Sequence, residues 1–466
     1  MEIKPKEITK EQVDAQLSIC EDIKKEIGTG RYAMVDTFGC QQNEEDSEKI
    51  RGYLSAMGYE MTDKEALADI IVLNTCAVRE HAEMRVFGNL GALSHVKKDD
   101  PEKIITLCGC MAQQESVAEK IRRSFPQVSL LFGPDELWRF PELIQSVRES
   151  KKRVFALGKG DGCVVEGLPH LRSDKVKAWL SIMNGCNNFC TYCIVPYTRF
   201  RERSRRPSEI IAEARELVFA GYKEITLLGQ NVNSYGRGLS EETDFAKLLR
   251  EINAIEGDFI IRFMTSHPKD ATEELFSAMA DCEKCENHLH LPLQSGSDRV
   301  LSAMNRRYDM EKYNNQVKKI REYLPDVVLT TDIIVGFPDE TEEDFEETLR
   351  AVEEIRFDAM FTFIYSKRKG TPAYDMPDPF TREEKQLRFD RLLETQNRIS
   401  EEKHKEYIGR FERILIDGTD KKDACLTGRT SGGRLVRLSG DEALIGSFQN
   451  VKITDCNTWA LRGELI

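Results

Sequence analysis

The alternation of short apolar runs with helical stretches is the feature of this sequence that most restricts its fold. Between residues 31 and 147 the apolar runs read YAMVDTFGC, DIIVLNTC, KIITLCGC and VSLLFG. A helical stretch follows each of the first three, and these read DSEKIRGYLSAMG, REHAEMRVFGNLGALSHV and QQESVAEKIRRSF. Strands that alternate with helices in this way form parallel sheets with helices on their faces. We therefore predict an α/β domain over residues 31–147.

A second series of strands and helices begins after residues 148–171, which are charged and contain Gly and which we interpret as a linker. Its six apolar runs read AWLSIMNGC, EITLLGQ, IIRFMTSH, HLHLPLQSG, VVLTTDIIVGFP and AMFTFIYS. Six such units predict a partial (β/α)6 barrel over residues 172–402 rather than a closed barrel of eight strands. A long charged helix, about 381–407, follows.

The two ends of the chain differ from this pattern. Residues 1–30 read as a polar N-terminal extension with a helix at 10–27. Residues 405–466 contain short β-like runs between Gly-containing turns, which predict a small antiparallel β-barrel.

Composition narrows the class of protein. No apolar run approaches the roughly 18 residues of a membrane span, and the polar start is not that of a signal or transit peptide. The thirteen Cys are an odd number spread over 466 residues, whereas secreted disulfide scaffolds are short and dense in Cys. We expect a cytoplasmic protein without a membrane partner. The net charge of −13 argues against non-specific binding of nucleic acid but leaves local basic patches open.

A cysteine triplet follows the first strand of the second series. Cys186, Cys190 and Cys193 lie within eight residues in NGCNNFCTYC. Three thiolates at this spacing can bind one face of a [4Fe–4S] cluster and leave the fourth iron open to chelate a substrate. The alternative is a zinc site, but zinc usually takes a fourth protein ligand, and no companion Cys pair lies nearby.

The triplet resembles the cluster-binding motif of the radical S-adenosylmethionine (SAM) superfamily. The resemblance implies that the open iron binds SAM and that reduction cleaves it to a 5′-deoxyadenosyl radical. The later motifs LLGQNVNSYG, TSHP, LQSGS and DIIVGFPDET fall at predicted strand ends, where parallel α/β folds bind ligands. From these motifs we select, as candidates for the SAM pocket, Gln230, Asn231, Ser266, Gln294, Ser295, Asp332 and Gly336.

A second set of cysteines lies in the first domain. Cys40, Cys76 and Cys110 are separated by 36 and 34 residues, and each follows an apolar strand. Because the ends of parallel strands share one edge of a sheet, these thiols are predicted to converge. The alternative is three ordinary buried cysteines, since free Cys is a common core residue. Cys108 competes with Cys110, and we favour Cys110 because it lies in the turn.

The motifs around this second set, FGCQQNEEDSE, NTCAVRE and GCMAQ, resemble those of the methylthiotransferases, which are radical SAM enzymes. Gln42 stands where that family commonly has Met, and because Cys40 is kept we expect cluster binding to be unaffected. The resemblance implies two [4Fe–4S] clusters, an auxiliary one at Cys40, Cys76 and Cys110 and a radical-generating one at the triplet. It also implies two uses of SAM, as methyl donor and as radical source.

The resemblance also makes the domain predictions specific. The first domain is expected to be flavodoxin-like, the second to be the radical SAM core, and residues 405–466 to be an RNA-binding TRAM barrel, because IGRFERILIDG, LTGRTSGGRLVRL and IGSFQNVKI resemble that domain. The likeness covers about residues 31–466.

The stretch LLGQNVNSYG closely resembles the family branch that acts on N6-isopentenyladenosine at position 37 of tRNA. This branch adds a methylthio group to C2 of the adenine. Two other branches act on the threonylcarbamoyl form of adenosine 37 or on an aspartate of a ribosomal protein. A non-catalytic Fe–S protein that senses RNA is an alternative from another class.

Basic residues give modest support for RNA as the substrate. Arginines follow the triplet closely at Arg199, Arg201, Arg203, Arg205 and Arg206, and the TRAM-like segment carries Arg429, Arg434 and Arg437. Such residues suit phosphate contacts, but an ion-paired surface loop explains the run equally well. We expect the anticodon stem-loop of tRNA, SAM and a flavodoxin- or ferredoxin-like reductant as partners of a monomer.

We interpret the other motifs as incidental, although a CEKC pair can also be redox-active or half of a zinc site. Cys282 and Cys285 form a CEKC pair without a second pair at zinc spacing, and His288 and His290 are interpreted as structural. The GKGDG segment at 158–162 lacks the Lys-Ser/Thr and the helix of a P-loop.

Overall fold

The computed structural model describes residues 6–78, 80–160, 162–420, 422–423 and 425–466. Residues 1–5 of the predicted extension, Arg79 of the second predicted helical stretch and Asp161 of the 158–162 segment lie outside the described residues. The described chain divides into two compact units. The first contains the described residues within 1–173, 183–187 and 193–205, and the second contains those within 174–182, 188–192 and 206–466.

Strands and helices alternate in the first part of the chain, as the sequence predicts. The elements up to residue 173 are β1 (Lys6–Glu7), α1 (Lys10–Ile27), β2 (Tyr32–Phe38), α2 (Gln41–Ala56), β3 (Glu60–Met61), β4 (Ile70–Thr75), α3 (Glu80–Asp99), β5 (Ile104–Gly109), α4 (Glu115–Ser124), β6 (Val128–Phe132), α5 (Phe140–Ser150), β7 (Val154–Ala156) and β8 (Cys163–Val164).

A parallel six-stranded sheet in the order β3-β2-β4-β5-β6-β7 forms the first unit. Every residue of β4, β5 and β6 is buried, because helices cover both faces of a parallel sheet and its strands are therefore apolar throughout. One face packs against Ile50 and Phe140, and the other packs against Leu90 and Ile121. The predicted α/β fold is confirmed.

Two segments belong more closely to the first unit than the sequence indicates. Strand β7 lies in the interval 148–171, which was expected to be a linker, and its three residues are too few to produce a recognisable apolar run. Helix α1 lies in the predicted extension, and its Cys20 and Ile23 belong to the core of the first unit. The exact domain boundaries stay a prediction.

The middle of the chain repeats the strand–helix pattern. Its elements are β9 (Lys177–Ser181), β10 (Met183–Asn184), α6 (Val195–Thr198), β11 (Arg203–Ser204), α7 (Pro207–Phe219), β12 (Glu224–Leu228), α8 (Phe245–Asn253), β13 (Ile260–Phe263), α9 (Glu273–Asp281), β14 (His288–His290), α10 (Asp298–Ala303), α11 (Met310–Tyr323), β15 (Val328–Val335), α12 (Glu342–Ile355), β16 (Ala359–Ile364) and α13 (Arg382–Lys405).

Six parallel strands of the second unit form two three-stranded sheets, in the orders β13-β12-β9 and β14-β15-β16. Helix α13 packs along β16 at the end of this series. The arrangement agrees with the predicted partial (β/α)6 barrel. No helix in the described ranges has the length and apolar character needed to cross a membrane.

A closed five-stranded barrel ends the second unit. Its strands are β17 (Phe411–Asp420), β18 (Cys425–Arg429), β19 (Leu435–Leu438), β20 (Phe448–Cys456) and β21 (Leu461–Leu465). The order around the barrel is β17-β18-β19-β21-β20. Four of the pairings are antiparallel, as predicted, but β19 and β21 pair in parallel. The small barrel is confirmed, with this one parallel pair as a difference.

Gly52 in α2 gives a first testable prediction. A Cβ atom at this position would lie 2.3 Å from the carbonyl oxygen of Pro169. Gly52→Ala will therefore destabilise the protein by about 1–3 kcal/mol, because the helix and the 169–170 backbone must separate. Urea unfolding followed by circular dichroism measures this.

The matched control is Gly88→Ala in α3. A Cβ at Gly88 meets no atom within 4 Å, so this variant is expected to gain about 0.5–1 kcal/mol, as Ala does over Gly in a helix. A stabilising effect of Gly52→Ala would contradict the close contact with Pro169.

Candidate functional site

The second set of cysteines lies at one edge of the parallel sheet in the first unit. Cys40 follows β2, Cys76 follows β4 directly, and Cys110 follows β5 directly. The three strands end in register, since Thr75 aligns with both Phe38 and Gly109. This is the convergence that the spacing of the cysteines predicts for a parallel sheet.

The thiols of this set interact with one another. The hydrogen bond between Cys40 and Cys76 lowers the pKa of Cys40 to about 6. The same bond, together with burial, raises the pKa of Cys76. The backbone N–H groups at the start of α2 also favour the Cys40 thiolate, as they do at other helix N-termini. Cys40 is exposed, whereas Cys76 and Cys110 are buried. The set therefore combines one solvent-exposed thiol with two buried ones.

The structure distinguishes Cys110 from Cys108. Cys108 belongs to the hydrophobic core beneath α2, in the same cluster as Ile50 and Phe132. Cys110 packs instead with Ala77, which follows Cys76 in the sequence. This placement favours Cys110 as the member of the cysteine set.

A pair of asparagines holds the Cys40 loop against β4. The Asn43 Oδ1 atom accepts from the Cys40 backbone N–H at 3.3 Å, and Asn43 Nδ2 donates to Asn74 Oδ1 at 3.1 Å. Asn74 Nδ2 donates in turn to the Asn43 carbonyl at 2.8 Å and to Ser47 Oγ at 2.9 Å. Both asparagine side chains are fully buried. The pair fixes the start of α2 relative to the end of the neighbouring strand.

Asn43→Ala is therefore expected to loosen the cysteine set. The variant leaves the buried acceptor Asn74 Oδ1 and the Cys40 backbone N–H without their side-chain partner, which costs about 1–3 kcal/mol. We expect lower stability in urea unfolding and faster loss of iron to a chelator after anaerobic reconstitution.

Gln41→Ala, two positions earlier in α2, serves as the control and should change neither quantity. Retention of iron by Asn43→Ala equal to that of the unmodified chain would contradict a role of the asparagine pair in holding Cys40.

Arg199 is part of the cysteine edge of the first unit. Its Nε donates to Cys110 Sγ at 3.1 Å, and its Nη2 lies 2.6 Å from Asp46 Oδ2. Ile194, five residues earlier, packs against Cys110. The segment that begins at Cys193 thus contributes side chains to the surroundings of Cys110.

The other arginines of the predicted RNA surface differ in exposure. Arg203 is buried and ion-paired with Asp135, and Arg434 is buried and ion-paired with Asp358. Arg199 is buried as well. The burial of these three arginines does not fit contact with an RNA phosphate, because an enclosed guanidinium cannot reach a solvated backbone. The ion-paired alternative describes these three residues.

The remaining basic candidates stay predictions. Arg205 is half-buried and ion-paired with Glu166, and Arg201 is exposed. Arg429 and Arg437 lie on the barrel with side chains that are 41% and 30% exposed, so they keep surface that an RNA backbone can contact.

The triplet Cys186, Cys190 and Cys193 lies on the loop between β10 and α6. Cys186 and Cys193 belong to the first unit, and Cys190 belongs to the second. Cys186 donates its backbone N–H to the carbonyl of Phe200 at 3.1 Å. The placement of the triplet after the first strand of the series agrees with the sequence.

Arg306 is the main contact of Cys190 within the second unit. Its Nη1 donates to Cys190 Sγ at 3.4 Å, and its Nη2 donates to the carbonyl of Pro292 at 2.8 Å. Arg306 is buried, and none of the described carboxylates forms an ion pair with it. A buried cation needs a neighbouring anion, so its position suits a thiolate-bound anionic group at Cys190.

The backbone around Cys190 is held by the segment after α10. Asn305 Nδ2 donates to the carbonyls of Asn188 and Phe189 at 3.2 and 2.9 Å. Thr191 donates its backbone N–H to the carbonyl of Met304 at 3.0 Å. Asn305 and Arg306 had no motif signal in the sequence, because their role depends on contacts across more than a hundred residues.

The SAM-pocket candidates lie at the ends of parallel strands in the second unit. Gln230 and Asn231 follow β12, Ser266 follows β13, Gln294 and Ser295 follow β14, Asp332 lies in β15, and Gly336 follows β15. Their role stays a prediction.

Hydrogen bonds divide the candidates into two groups. Ser295 contacts Thr348, and Gly336 donates its N–H to Glu340 at 2.7 Å, so these two are engaged in the scaffold. By contrast, Asn231 Oδ1 and Ser266 Oγ are buried without a hydrogen-bond partner in the described chain. Unpaired buried polar atoms are costly unless a ligand satisfies them.

Both cysteine sets fit cluster ligation by their chemistry. Each offers thiols beside a buried guanidinium, Arg199 in one case and Arg306 in the other. In the described part of the chain, no three His, Cys, Asp or Glu side chains surround one point as ligands of a single metal ion. A [4Fe–4S] cluster spreads its cysteines over different irons, so this finding is compatible with cluster sites.

Three known protein families match parts of the chain. The radical SAM superfamily matches residues 180–352, the family described as Uncharacterized protein family UPF0004 matches residues 32–133, and the TRAM domain matches residues 405–466.

Curated relatives match nearly the whole chain. A protein of Acetivibrio thermocellus is 50% identical over 467 residues, covering 98% of this chain and 97% of its own. One of Thermoanaerobacter sp. (strain X514) is 50% identical over 461 residues, covering 98% of each. One of Clostridium tetani is 51% identical over 431 residues, covering 92% and 95%. All three are named tRNA-2-methylthio-N(6)-dimethylallyladenosine synthase.

Among solved structures, the radical S-adenosylmethionine methyltransferase TsrM from Kitasatospora setae has a similar fold. The TM-score is 0.56 at 13% identity, covering 74% of this chain and 75% of that one. At this identity the likeness concerns the fold alone.

Proposed function

The chain belongs to the family of tRNA-2-methylthio-N(6)-dimethylallyladenosine synthases, and on this premise we propose that it places a methylthio group on C2 of N6-isopentenyladenosine 37 in tRNA. The observation that carries the proposal is the grouping of Cys40, Cys76 and Cys110 at one sheet edge, in a chain that also has the radical SAM triplet. Either cysteine set alone would not identify the product of the reaction.

Six cysteines would hold the two cofactors. Cys186, Cys190 and Cys193 are the proposed ligands of the radical SAM cluster, and Cys40, Cys76 and Cys110 those of an auxiliary [4Fe–4S] cluster. When bound, these clusters would supply the electron that cleaves SAM and a site for the sulfur that is transferred. No side chain of the described chain is assigned as a general base.

The protein's own residues orient the ligands and enclose them. Asn43 holds the Cys40 backbone, and Arg199 donates to the Cys110 sulfur. Asn305 and Arg306 fix the backbone and the sulfur of the Cys190 loop. The unpaired polar atoms of Asn231 and Ser266 support a polar ligand at the strand ends.

The RNA-binding role rests on the TRAM barrel. We propose that it binds the anticodon stem-loop, with Arg429 and Arg437 as phosphate contacts and Arg201 and Arg205 as further candidates on the first unit. The target adenine would be splayed out of its loop, as bases are when RNA is modified. We further propose that the chain is monomeric and cytoplasmic and that it receives electrons from a flavodoxin- or ferredoxin-like donor.

The test is product formation by the reconstituted full chain. It is incubated with SAM, a chemical reductant and an anticodon stem-loop that carries isopentenyladenosine, and the digested RNA is analysed by mass spectrometry. We expect 2-methylthio-isopentenyladenosine, and we expect SAM cleavage to increase when the stem-loop is present.

Two other substrates serve as comparisons. A stem-loop with threonylcarbamoyladenosine and a peptide that contains the ribosomal aspartate should remain unmodified. Methylthiolation of either one, without product on the isopentenyl substrate, would overturn the substrate assignment. RNA binding without SAM cleavage would favour the non-catalytic sensor.

A further inference from the structure

The side chain of Arg199 uses all three of its nitrogens inside the first unit. Nε donates to Cys110 Sγ at 3.1 Å, Nη1 donates to Asn184 Oδ1 at 3.4 Å, and Nη2 pairs with Asp46 Oδ2 at 2.6 Å. The residue is 3% exposed. A buried guanidinium that is held at all three nitrogens has one orientation, so its charge stays at a fixed position beside the cysteine set.

This charge acts on two of the three thiols. Although burial favours the neutral form of the guanidinium, the charges of Asp46, Cys110 and Cys40 raise the pKa of Arg199 well above its ordinary value. Burial raises the pKa of Cys110, and the charge of Arg199 opposes this rise. Together with the hydrogen bond from Cys76, the same charge lowers the pKa of Cys40. The cation is therefore electrostatically coupled to the exposed thiol and to a buried one.

Asp46 balances the cation with a carboxylate oxygen 2.6 Å from Arg199 Nη2. It lies in α2, six positions after Cys40, and is 8% exposed. A carboxylate at this place repels the charge of Cys110 and Cys108. The site thus has one fixed positive and one fixed negative charge in a buried environment, where interactions between charges are weakly screened.

We propose that Arg199 and Asp46 are a charge pair that sets the reduction potential of the auxiliary cluster, with Arg199 as the positioning residue of Cys110. The inference rests on the proposed function only in that Cys40, Cys76 and Cys110 hold this cluster. Addition of one electron makes a cluster more negative, so a nearby cation stabilises the reduced form and a nearby anion destabilises it. Arg199 and Asp46 must therefore shift the reduction potential of the cluster in opposite directions.

Arg203 provides the matched control. It lies on the same segment, is buried to a similar degree and is ion-paired with Asp135. Its other donors go to the backbone carbonyls of Cys163, Arg199 and Arg201, and its hydrogen bonds include no sulfur. Arg203→Gln removes a buried ion pair of the same kind without removing a donor to the cysteine set.

The experiment uses the full chain with Cys186, Cys190 and Cys193 replaced by alanine, so that only the auxiliary cluster is loaded. Arg199→Gln, Arg199→Lys, Asp46→Asn and Arg203→Gln are made in this background. After anaerobic reconstitution, iron and sulfide are counted, and the midpoint potential of the one-electron couple is measured by titration with dithionite under electron paramagnetic resonance.

We expect Arg199→Gln to disfavour reduction at least tenfold, which for a one-electron couple is a midpoint about 59 mV more negative. Asp46→Asn should move the midpoint in the positive direction. Arg199→Lys keeps the charge and should stay near the parent value. Arg203→Gln should lower thermal stability without shifting the midpoint potential. If the Arg203→Gln chain does not fold, Arg205→Gln serves as the control instead.

The proposal is overturned if Arg199→Gln and Asp46→Asn leave the midpoint unchanged, or shift it in the same direction, in chains that hold a full cluster. If the Arg199→Gln chain loses its iron, the test rests on Asp46→Asn. An unshifted midpoint potential in the Asp46→Asn chain then refutes the proposal. Failure of the parent background to load any cluster would instead refute the assigned cysteines. None of these readouts depends on the tRNA product.

Discussion

Full-length chains in which Cys186, Cys190 and Cys193 are alanine will hold about half of the iron of the unmodified chain and will not cleave SAM. Two four-iron clusters give about eight irons per chain, and loss of one leaves about four. SAM cleavage is expected to fall to the rate without enzyme, because the only proposed site for electron transfer to SAM is gone. Iron and sulfide analysis, together with chromatography of 5′-deoxyadenosine, measures both effects.

The reciprocal variant separates the two cysteine sets. Replacement of Cys40, Cys76 and Cys110 by alanine should also leave about four irons, but SAM cleavage should continue while the methylthio product disappears. The control is the double alanine variant of Cys282 and Cys285, which should keep about eight irons. Loss of SAM cleavage in a reciprocal variant that still holds about four irons per chain would argue against separate roles.

The second large effect is expected at Arg262, which links the partial barrel to the small barrel. Its Nε and Nη1 lie 2.7 Å from the carboxylates of Glu224 and Glu286, and its Nη2 donates to the carbonyl of Thr430 at 3.2 Å. All three charged side chains are buried. Arg262→Met removes the ion pair of buried Glu224 and leaves Glu286 with the His288 contact at 3.4 Å, which is expected to cost about 3–5 kcal/mol.

Arg413→Met is the comparison for Arg262→Met. Arg413, on β17, pairs with Asp258 at 2.6 Å, but both side chains are more than half exposed. Removal of a solvated ion pair of this kind costs at most about 1 kcal/mol. Urea unfolding of the two variants should therefore differ clearly, and equal losses of stability would show that burial does not decide the strength of this link. The triple variant with Glu224→Gln and Glu286→Gln should recover part of the loss.

The elements that the sequence predicts well are those whose signal is local. Strands β4 and β5 are continuous apolar runs because both faces of the sheet are covered, and the helix at 10–27 is confirmed at both ends by α1. The convergence of Cys40, Cys76 and Cys110 follows from the same reasoning, since it needs only parallel strands of similar length.

The features that the sequence does not predict depend on distant partners. The run of arginines after the triplet reads as a basic surface, yet Arg199 is neutralised by Asp46, which lies 153 positions away. Arg306 contacts a cysteine 116 positions away. Strand β7 is three residues long and gains its pairing from β6. Periodicity and spacing carry no information about such contacts, because each depends on how the completed fold brings separate segments together.

The strand order of the small barrel has a consequence for synthesis on the ribosome. Strand β21 is inserted between β19 and β20, although it is the last of the five to be translated. Until it emerges, one edge of β19 and one edge of β20 expose unpaired backbone groups, which can template pairing with other chains. Closure of this barrel is therefore a late event in biogenesis, and a nascent chain that stalls before Leu461 is expected to need a chaperone.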